Sequence, residues 1–101
     1  MANIKFSYLY RDGANYKNFG AVMFENPDNI DVTELETIIR SMLIDATWFY
    51  ADKWLLPDLH FGSWDEEIDH GFHEFECISY TEERANSSIP LVEFMAALAR
   101  N

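Results

Sequence analysis

The alternation of side chains at the start of the chain constrains the fold more than any other segment. Within residues 3–10, apolar or aromatic side chains occupy every second position, as Ile4, Phe6, Tyr8 and Tyr10. A period of two with β-branched and aromatic residues is typical of a strand that buries one face. Residues 12–15 have turn chemistry, because Gly and Asn tolerate positive φ, and a second alternating segment covers 18–24. Together they predict an antiparallel hairpin.

Two later segments have the spacing of amphipathic helices. Asp31 and Glu34 form a capping-box pattern, in which side chains bond the backbone N–H groups that a first helical turn leaves unpaired. The stripe that follows predicts a helix over 32–45 and consists of Leu35, Ile38, Ile39, Met42 and Leu43. A second stripe predicts a helix over 89–99, with Pro90 acceptable in its first turn. Its members are Leu91, Phe94, Met95 and Leu98.

Two further segments are predicted as strands. Aromatic and β-branched content favours a short strand over 47–51, although the preceding helical stripe could also continue through this region. The 72–80 segment is interpreted as a strand with Phe75 and Cys77 on one side and Ile78 on the other. Cys77 is therefore expected to be an inert core thiol.

These elements follow one another in the order ββα-ββα, without an internal repeat or a linker. We expect residues 1–101 to form a single acidic α+β domain. Its antiparallel sheet would have about four strands, with both helices packed on one face, because each helix has one apolar stripe to bury.

Composition excludes several classes of protein. Hydrophobic residues make up 49% and aromatic residues 16% of the chain, which excludes disorder. The net charge is −11, with seven Lys and Arg residues. Such a balance argues against nucleic acid and anionic membranes as partners. No apolar run approaches the roughly 18 residues of a transmembrane helix, and no secretory segment is evident. The lone Cys77 cannot form an internal disulfide, so a cytoplasmic location is expected.

The negative charge is concentrated in one part of the sequence. Residues 54–83 contain nine acids and no Lys or Arg. One interpretation is a solvated face that keeps a small protein soluble. The other is a surface that steers a basic protein partner into contact, since charge of this kind raises association rates and selects partners.

The densest group of chemically active side chains surrounds the last predicted strand. It contains His60, Asp69, His70, His73 and Glu74. Imidazole and carboxylate groups bind divalent metals and act as general acids and bases. His70 and His73 are three positions apart, however, and would point to opposite sides of a strand, which weakens the case. The alternatives are a recognition role, or a sheet histidine at 73 and a loop histidine at 70.

A second candidate group has the residue types of a protein interface. Tyr and Arg dominate interface hot spots, because they bury large area and keep a polar handle. The partner-binding candidates are Tyr10, Arg11, Tyr16, Lys17, Trp64, Asp65, Glu66 and Glu67. Alternatively, Arg11 and Lys17 pair with the acidic half of the same molecule. Of the aromatic residues Trp48, Trp54, Trp64 and Phe61, two or three are expected to line an exposed groove or a dimer interface.

Two segments of the sequence resemble a group of small bacterial proteins of similar length. The segments are Tyr8-x-Tyr10-Arg11-Asp12-x-x-Asn15-Tyr16-Lys17 and Asp69-His70-x-x-His73-Glu74-Phe75. The resemblance spans most of the chain and implies no particular activity. It does imply that the two segments matter together, which is consistent with Arg11 or Lys17 pairing with Asp69 or Glu74 across the sheet.

The sequence thus favours a non-enzymatic, acidic cytoplasmic protein that binds and inhibits a basic protein partner, such as a nuclease or another nucleic-acid-binding protein. The expected type is an immunity protein, an antitoxin or an anti-defence inhibitor, without a cofactor. The alternative is a small metal-binding protein or metal-dependent hydrolase that uses the histidine and carboxylate group. A homodimer with buried tryptophans is a third interpretation.

Overall fold

The α+β class is confirmed by a computed structural model that describes residues 2–11, 16–59 and 72–100. The elements along the chain are β1 (Asn3–Arg11), β2 (Lys17–Phe24), α1 (Val32–Met42), β3 (Trp48–Tyr50), β4 (Phe72–Thr81) and α2 (Leu91–Ala97). A short 3-10 turn, Leu98–Arg100, extends α2. No helix in these ranges is long and apolar enough to cross a bilayer.

The four strands form one antiparallel sheet in the order β2-β1-β4-β3. The predicted hairpin is confirmed, because β1 pairs with β2 from Ile4 opposite Phe24 to Arg11 opposite Lys17. The inner strand β1 also pairs with β4, which comes 61 positions later in the chain (from Arg11 to Phe72). The two inner strands, β1 and β4, therefore connect the hairpin to β3.

A β-bulge interrupts the pairing of β1 with β4. Ser7 is opposite Cys77, but the next residue, Tyr8, is opposite Phe75, so Glu76 is the additional residue. The bulge reverses the alternation, and Phe75 and Ile78 both face the core while Cys77 is exposed. The prediction of a buried core thiol at 77 is wrong for this reason, since a bulge adds a residue without leaving a mark in the hydrophobic pattern.

The start of α1 follows its predicted cap. The Asp31 carboxylate accepts hydrogen bonds from the Thr33 N–H at 2.7 Å and the Glu34 N–H at 3.2 Å. The helix ends at Met42, three residues before the predicted end, and the chain then turns through positive φ at 45 and 46 into β3. This β3 confirms the strand interpretation of 47–51. Only two stripe members of α1 are buried, Leu35 and Ile39.

Aromatic side chains dominate the core. The Phe6 ring lies 5.3–6.4 Å, centroid to centroid, from the rings of Tyr8, Phe49, Trp54, Phe75 and Phe94. Trp54 is fully buried and stacks on Phe49 at 4.5 Å, so it does not line an exposed groove as the sequence suggested. Residues of both helices join the same cluster.

Candidate functional site

Acidic side chains from separate parts of the chain collect at one end of the sheet. Here β1 begins and β2 and β4 end, as the pairing of Ile4 with Phe24 and of Asn3 with Thr81 shows. The first turns of α1 and α2 follow these strand ends. The exposed carboxylates of the segments that meet here, which we call the acidic end, are Glu25, Asp28, Asp31, Glu34, Glu82, Glu83 and Glu93.

Lys5 compensates one of these carboxylates. Its Nζ lies 2.7 Å from Oε2 of Glu83, which also accepts a hydrogen bond from the Thr81 hydroxyl at 3.1 Å. The hydrogen bond and the charge of Glu83 raise the pKa of Lys5, and the same contact with Lys5 lowers the pKa of Glu83. Both side chains are exposed to solvent, so this pair positions charge and adds little stability.

Other described cations are engaged away from the acidic end. Arg11 pairs with Glu74 on the sheet. The Arg40 guanidinium lies 5.1 Å above the Phe75 ring, and the Lys53 ammonium lies 4.8 Å from the centroid of the Tyr50 ring. Cation–π contacts of this kind keep a positive charge in place locally. Arg11, Arg40 and Lys53 therefore do not neutralise the acidic end, whereas the exposed Arg84, next to Glu83, adds one positive charge within it.

A cleft of about 380 Å³ opens within the acidic end, between residues 25–30 and residues 85–92. The charged side chains that line it are both acidic, Glu25 and Asp28. Its apolar walls come from Pro27, Ile30, Ile89, Pro90, Leu91 and Val92. The cleft thus combines apolar walls with carboxylates.

Asn26 fixes the first wall of the cleft. This buried side chain accepts a hydrogen bond from the Ile30 N–H at 2.8 Å and donates one to the Ile30 carbonyl at 3.0 Å. The Asn29 N–H also donates to the Asn26 carbonyl, and Asn29 adopts φ 51°, a conformation that asparagine tolerates. The turn that carries Asp28 is therefore held by its own backbone contacts.

The second wall is fixed to the edge of the sheet. The N–H groups of Asn86 and Ser87 both donate to the Met23 carbonyl, and the Met23 N–H donates to Oδ1 of Asn86. The Ser87 hydroxyl, in turn, accepts from the Ile89 N–H and donates to the Ile89 carbonyl. Both walls are therefore held by hydrogen bonds within the chain.

The structure separates the described members of the proposed metal group. His73 faces the core, where it is 1% exposed and lies among the rings of Tyr8, Tyr10 and Phe49. Glu74 faces the opposite side of β4. His60, Asp69 and His70 lie outside the described residues. Within the described ranges, no cluster of three or more His, Cys, Asp or Glu residues could hold a metal.

The environment of His73 fits a structural role. Its Nε2 accepts a hydrogen bond from the Leu59 N–H at 3.0 Å. Asp58 lies 3.4 Å from the same nitrogen. The Nε2 lone pair thus accepts a hydrogen bond from the backbone of the same molecule.

Three strands hold the backbone around Leu59. The Tyr8 hydroxyl donates to the Pro57 carbonyl at 2.6 Å, and the Asn18 side chain donates to the Leu59 carbonyl at 2.9 Å. With the His73 bond, side chains from β1, β2 and β4 all contact this segment. A Cβ on Gly20 would lie 2.8 Å from the Leu59 side chain, so glycine permits this close approach.

The Tyr8 contact predicts an alkaline loss of stability. Burial, together with the charge of Asp58, raises the pKa of Tyr8 above its ordinary value of 10.0. The stabilisation of the folded state by protonated Tyr8 is fully present below about pH 10. As the pH rises from there toward the folded-state pKa of Tyr8, the free energy of unfolding falls by about 1.4 kcal/mol per pH unit because of this residue. Urea unfolding at several alkaline pH values measures this slope. The Tyr8→Phe variant should have a smaller slope, and an identical slope would contradict the assignment.

The hypothesis of an ion pair between the first hairpin and the last strand is confirmed for Arg11 and Glu74. The guanidinium Nε lies 2.8 Å from Oε2 and Nη2 lies 3.4 Å from Oε1. The Glu74 side chain is only 17% exposed, so this pair is better shielded from water than the pair of Lys5 and Glu83.

The Arg11→Ala variant should therefore lower the free energy of unfolding by about 1 kcal/mol, at the upper end of the range for partly exposed pairs. It leaves the half-buried Glu74 carboxylate without this partner. Thermal unfolding of the variant measures the effect, with Lys5→Ala as the control for an exposed ion pair. An unchanged melting temperature for Arg11→Ala would rule out a stabilising role.

The described partner-binding candidates lie where β1 ends and β2 begins, with Arg11 opposite Lys17. Tyr10 is 1% exposed, so its assignment to a partner surface is wrong: strand alternation places it with the core-facing side chains of β1. Tyr16 and Lys17 are exposed at the start of β2. Trp64, Asp65, Glu66 and Glu67 lie outside the described residues.

Sequence reasoning missed the acidic end, because its carboxylates come from separate segments. The signals that could have found it are the turns at 26–29 and 86–88, which mark where the chain returns to one edge of the sheet. Comparison with family models, with curated proteins and with solved structures finds no significant match for this chain. The site is therefore interpreted from its own geometry.

Proposed function

We propose that the chain is a non-enzymatic, acidic cytoplasmic module that binds a basic protein partner through the acidic end and inhibits it. A nuclease or another nucleic-acid-binding protein is the class of partner with the matching chemistry. Such a protein presents clustered Lys and Arg to phosphates, and a dense group of carboxylates can occupy the same cations. This is the mode of an immunity protein, an antitoxin or an anti-defence inhibitor.

The collection of seven exposed carboxylates at one end of the sheet, where they outnumber the cations Lys5 and Arg84, is the observation that carries the proposal. A field from clustered charges of one sign extends over about a Debye length, roughly 8 Å at physiological salt. It raises the rate of encounter with an oppositely charged surface and disfavours acidic competitors. The net charge of −11 adds to this field over the whole molecule.

The arrangement of the helices gives further support. Buried residues of α1 and α2 join one core cluster with Phe6, which favours packing of both helices on one face of the sheet. The other face then carries Phe19, which is opposite Leu9 and 59% exposed. The helices leave the first turns of α1 and α2, with their carboxylates, at the acidic end.

The test compares capture of partners by two charge variants. The first neutralises part of the acidic end as Glu34→Gln, Glu82→Gln and Glu93→Gln. It leaves Asp31 and Glu83 intact, because Asp31 caps α1 and Glu83 pairs with Lys5. The control neutralises three exposed acids elsewhere, as Asp45→Asn, Asp52→Asn and Glu76→Gln. Both variants remove the same charge, so total charge cannot explain a difference between them.

We expect the wild type to capture a basic protein from a bacterial lysate at low salt and to lose it at high salt. Capture by the first variant should fall about tenfold, and capture by the control should fall much less. Binding of the captured protein to labelled DNA then measures inhibition. Equal capture by the two variants, or capture that salt does not change, would contradict the proposal.

A further inference from the structure

We propose that the cleft in the acidic end receives one lysine or arginine side chain of the partner. The inference deepens the proposed function and rests on it, because it names the group that the acidic end recognises. The cleft would turn a general attraction between charges into recognition of one residue.

The size of the cleft fits a single long side chain. Its volume of about 380 Å³ lies near the lower limit of ligand pockets, which measure about 300–1,000 Å³. A strand or a helix of the partner would need a longer groove. One extended side chain, with the backbone that carries it, fills a space of this kind.

The chemistry of the cleft selects a cationic side chain with an aliphatic stem. Ile30, Leu91 and Val92 contribute apolar wall, and Val92 is 64% exposed in the absence of a partner. Glu25 and Asp28 are the charged residues of the lining, and both are acidic. Lys and Arg bury their methylene groups on apolar surface and keep the charged head near water or a carboxylate.

Other side chains fit this combination less well. A carboxylate would be repelled by Glu25 and Asp28. An apolar side chain would contact the walls but would remove water from these carboxylates without supplying a positive charge. Charge complementarity therefore favours the cationic class.

Hydrogen bonds within the chain also fix both walls of the cleft. Asn26 holds one wall through two hydrogen bonds to Ile30, and Ser87 holds the other through two hydrogen bonds to Ile89. A pocket whose walls are already fixed loses less conformational entropy when it is filled. This order favours specific recognition over transient contact.

The experiment titrates the ¹⁵N-labelled full-length protein with small probes and follows its amide resonances. The probes are N-acetyl-lysine-N-methylamide and the norleucine analogue, which has the aliphatic stem without the charge. We expect the lysine probe to shift the amides of Asp28, Ile30, Ser88 and Val92. It should bind about three- to fivefold more tightly than the norleucine probe, as one or two partly exposed ion pairs allow.

The variant Glu25→Gln/Asp28→Asn should reduce the affinity for the lysine probe to that for the norleucine probe. Both side chains are exposed, so the melting temperature should not change. The matched control is Glu34→Gln, which removes a carboxylate of the acidic end outside the cleft. Equal affinity of the wild type for the two probes, or shifts confined to other parts of the molecule, would overturn the inference even if the variant did not fold.

The two proposals fail in different ways. If the lysine probe leaves the cleft resonances unchanged while the Glu34, Glu82 and Glu93 variant loses the basic partner, the cleft inference is wrong and the proposed function remains. If that variant captures the partner as well as the wild type does, the acidic end is not the interface. Binding of the lysine probe would then be unrelated to the partner, and both proposals would be wrong.

Discussion

Replacement of Phe6 by alanine should lower the free energy of unfolding by about 3–5 kcal/mol, the range for the loss of a buried aromatic side chain. Phe6 is fully buried on β1, one of the two inner strands. Its ring contacts aromatic side chains from β1, β3, β4, α2 and the segment between β3 and β4. A cavity at this position would therefore remove contacts from nearly every layer of the fold, and small domains tolerate such losses poorly.

Chemical unfolding followed by tryptophan fluorescence measures this loss, because Trp54 lies beside Phe6. The matched control is Phe19→Ala, which removes the same side chain from the neighbouring strand. Phe19 is 59% exposed, so its loss should change stability by about 0.5 kcal/mol or less. Similar losses for the two variants would mean that the core is not centred on Phe6.

The variant His73→Phe should lower the free energy of unfolding by about 1–3 kcal/mol, the cost of a buried donor left without its acceptor. In the wild type, the Leu59 N–H donates to His73 Nε2. Phenylalanine fills the space of the imidazole among its aromatic neighbours but accepts no hydrogen bond. The segment around Leu59 would then lose one of its three strand contacts.

The matched control for this prediction is His73→Gln, whose side-chain carbonyl can accept the same hydrogen bond. We expect it to recover part of the lost stability, as measured by urea unfolding of both variants. Addition of zinc should not change the difference between wild type and His73→Phe. A loss of stability that appeared only in the presence of zinc would instead support a role for His73 as a metal ligand.

Local patterns predict much of the fold. The period-two alternation of β1 and the Asp31 cap of α1 are encoded within a few residues, and both are confirmed. The bulge in β4 is different, because it arises from pairing with β1 and leaves no trace in the local order of apolar residues. This explains why the strand itself is predicted but the direction of Cys77 is not.

The candidate site depends more on long-range pairing than on local pattern. The ion pair of Arg11 and Glu74 is one of the pairings that the sequence suggested between the first hairpin and the last strand, and the structure contains it. Residue type alone does not predict exposure: tyrosine is typical of interfaces, but the position of Tyr10 in the strand places it in the core. The carboxylates of the acidic end come together only because β1, β2 and β4 pair in the observed order. The charge of any one segment therefore does not predict this site.

The bulge has a practical consequence. Because it turns Cys77, the single cysteine of the chain, toward solvent, a maleimide dye or a nitroxide can be attached at one defined point without engineering a new residue. Ser7 and Ser79, its neighbours on the same side of the sheet, leave room for such a reagent. The distance from this label to a second spin on a bound protein would map the orientation of a complex directly.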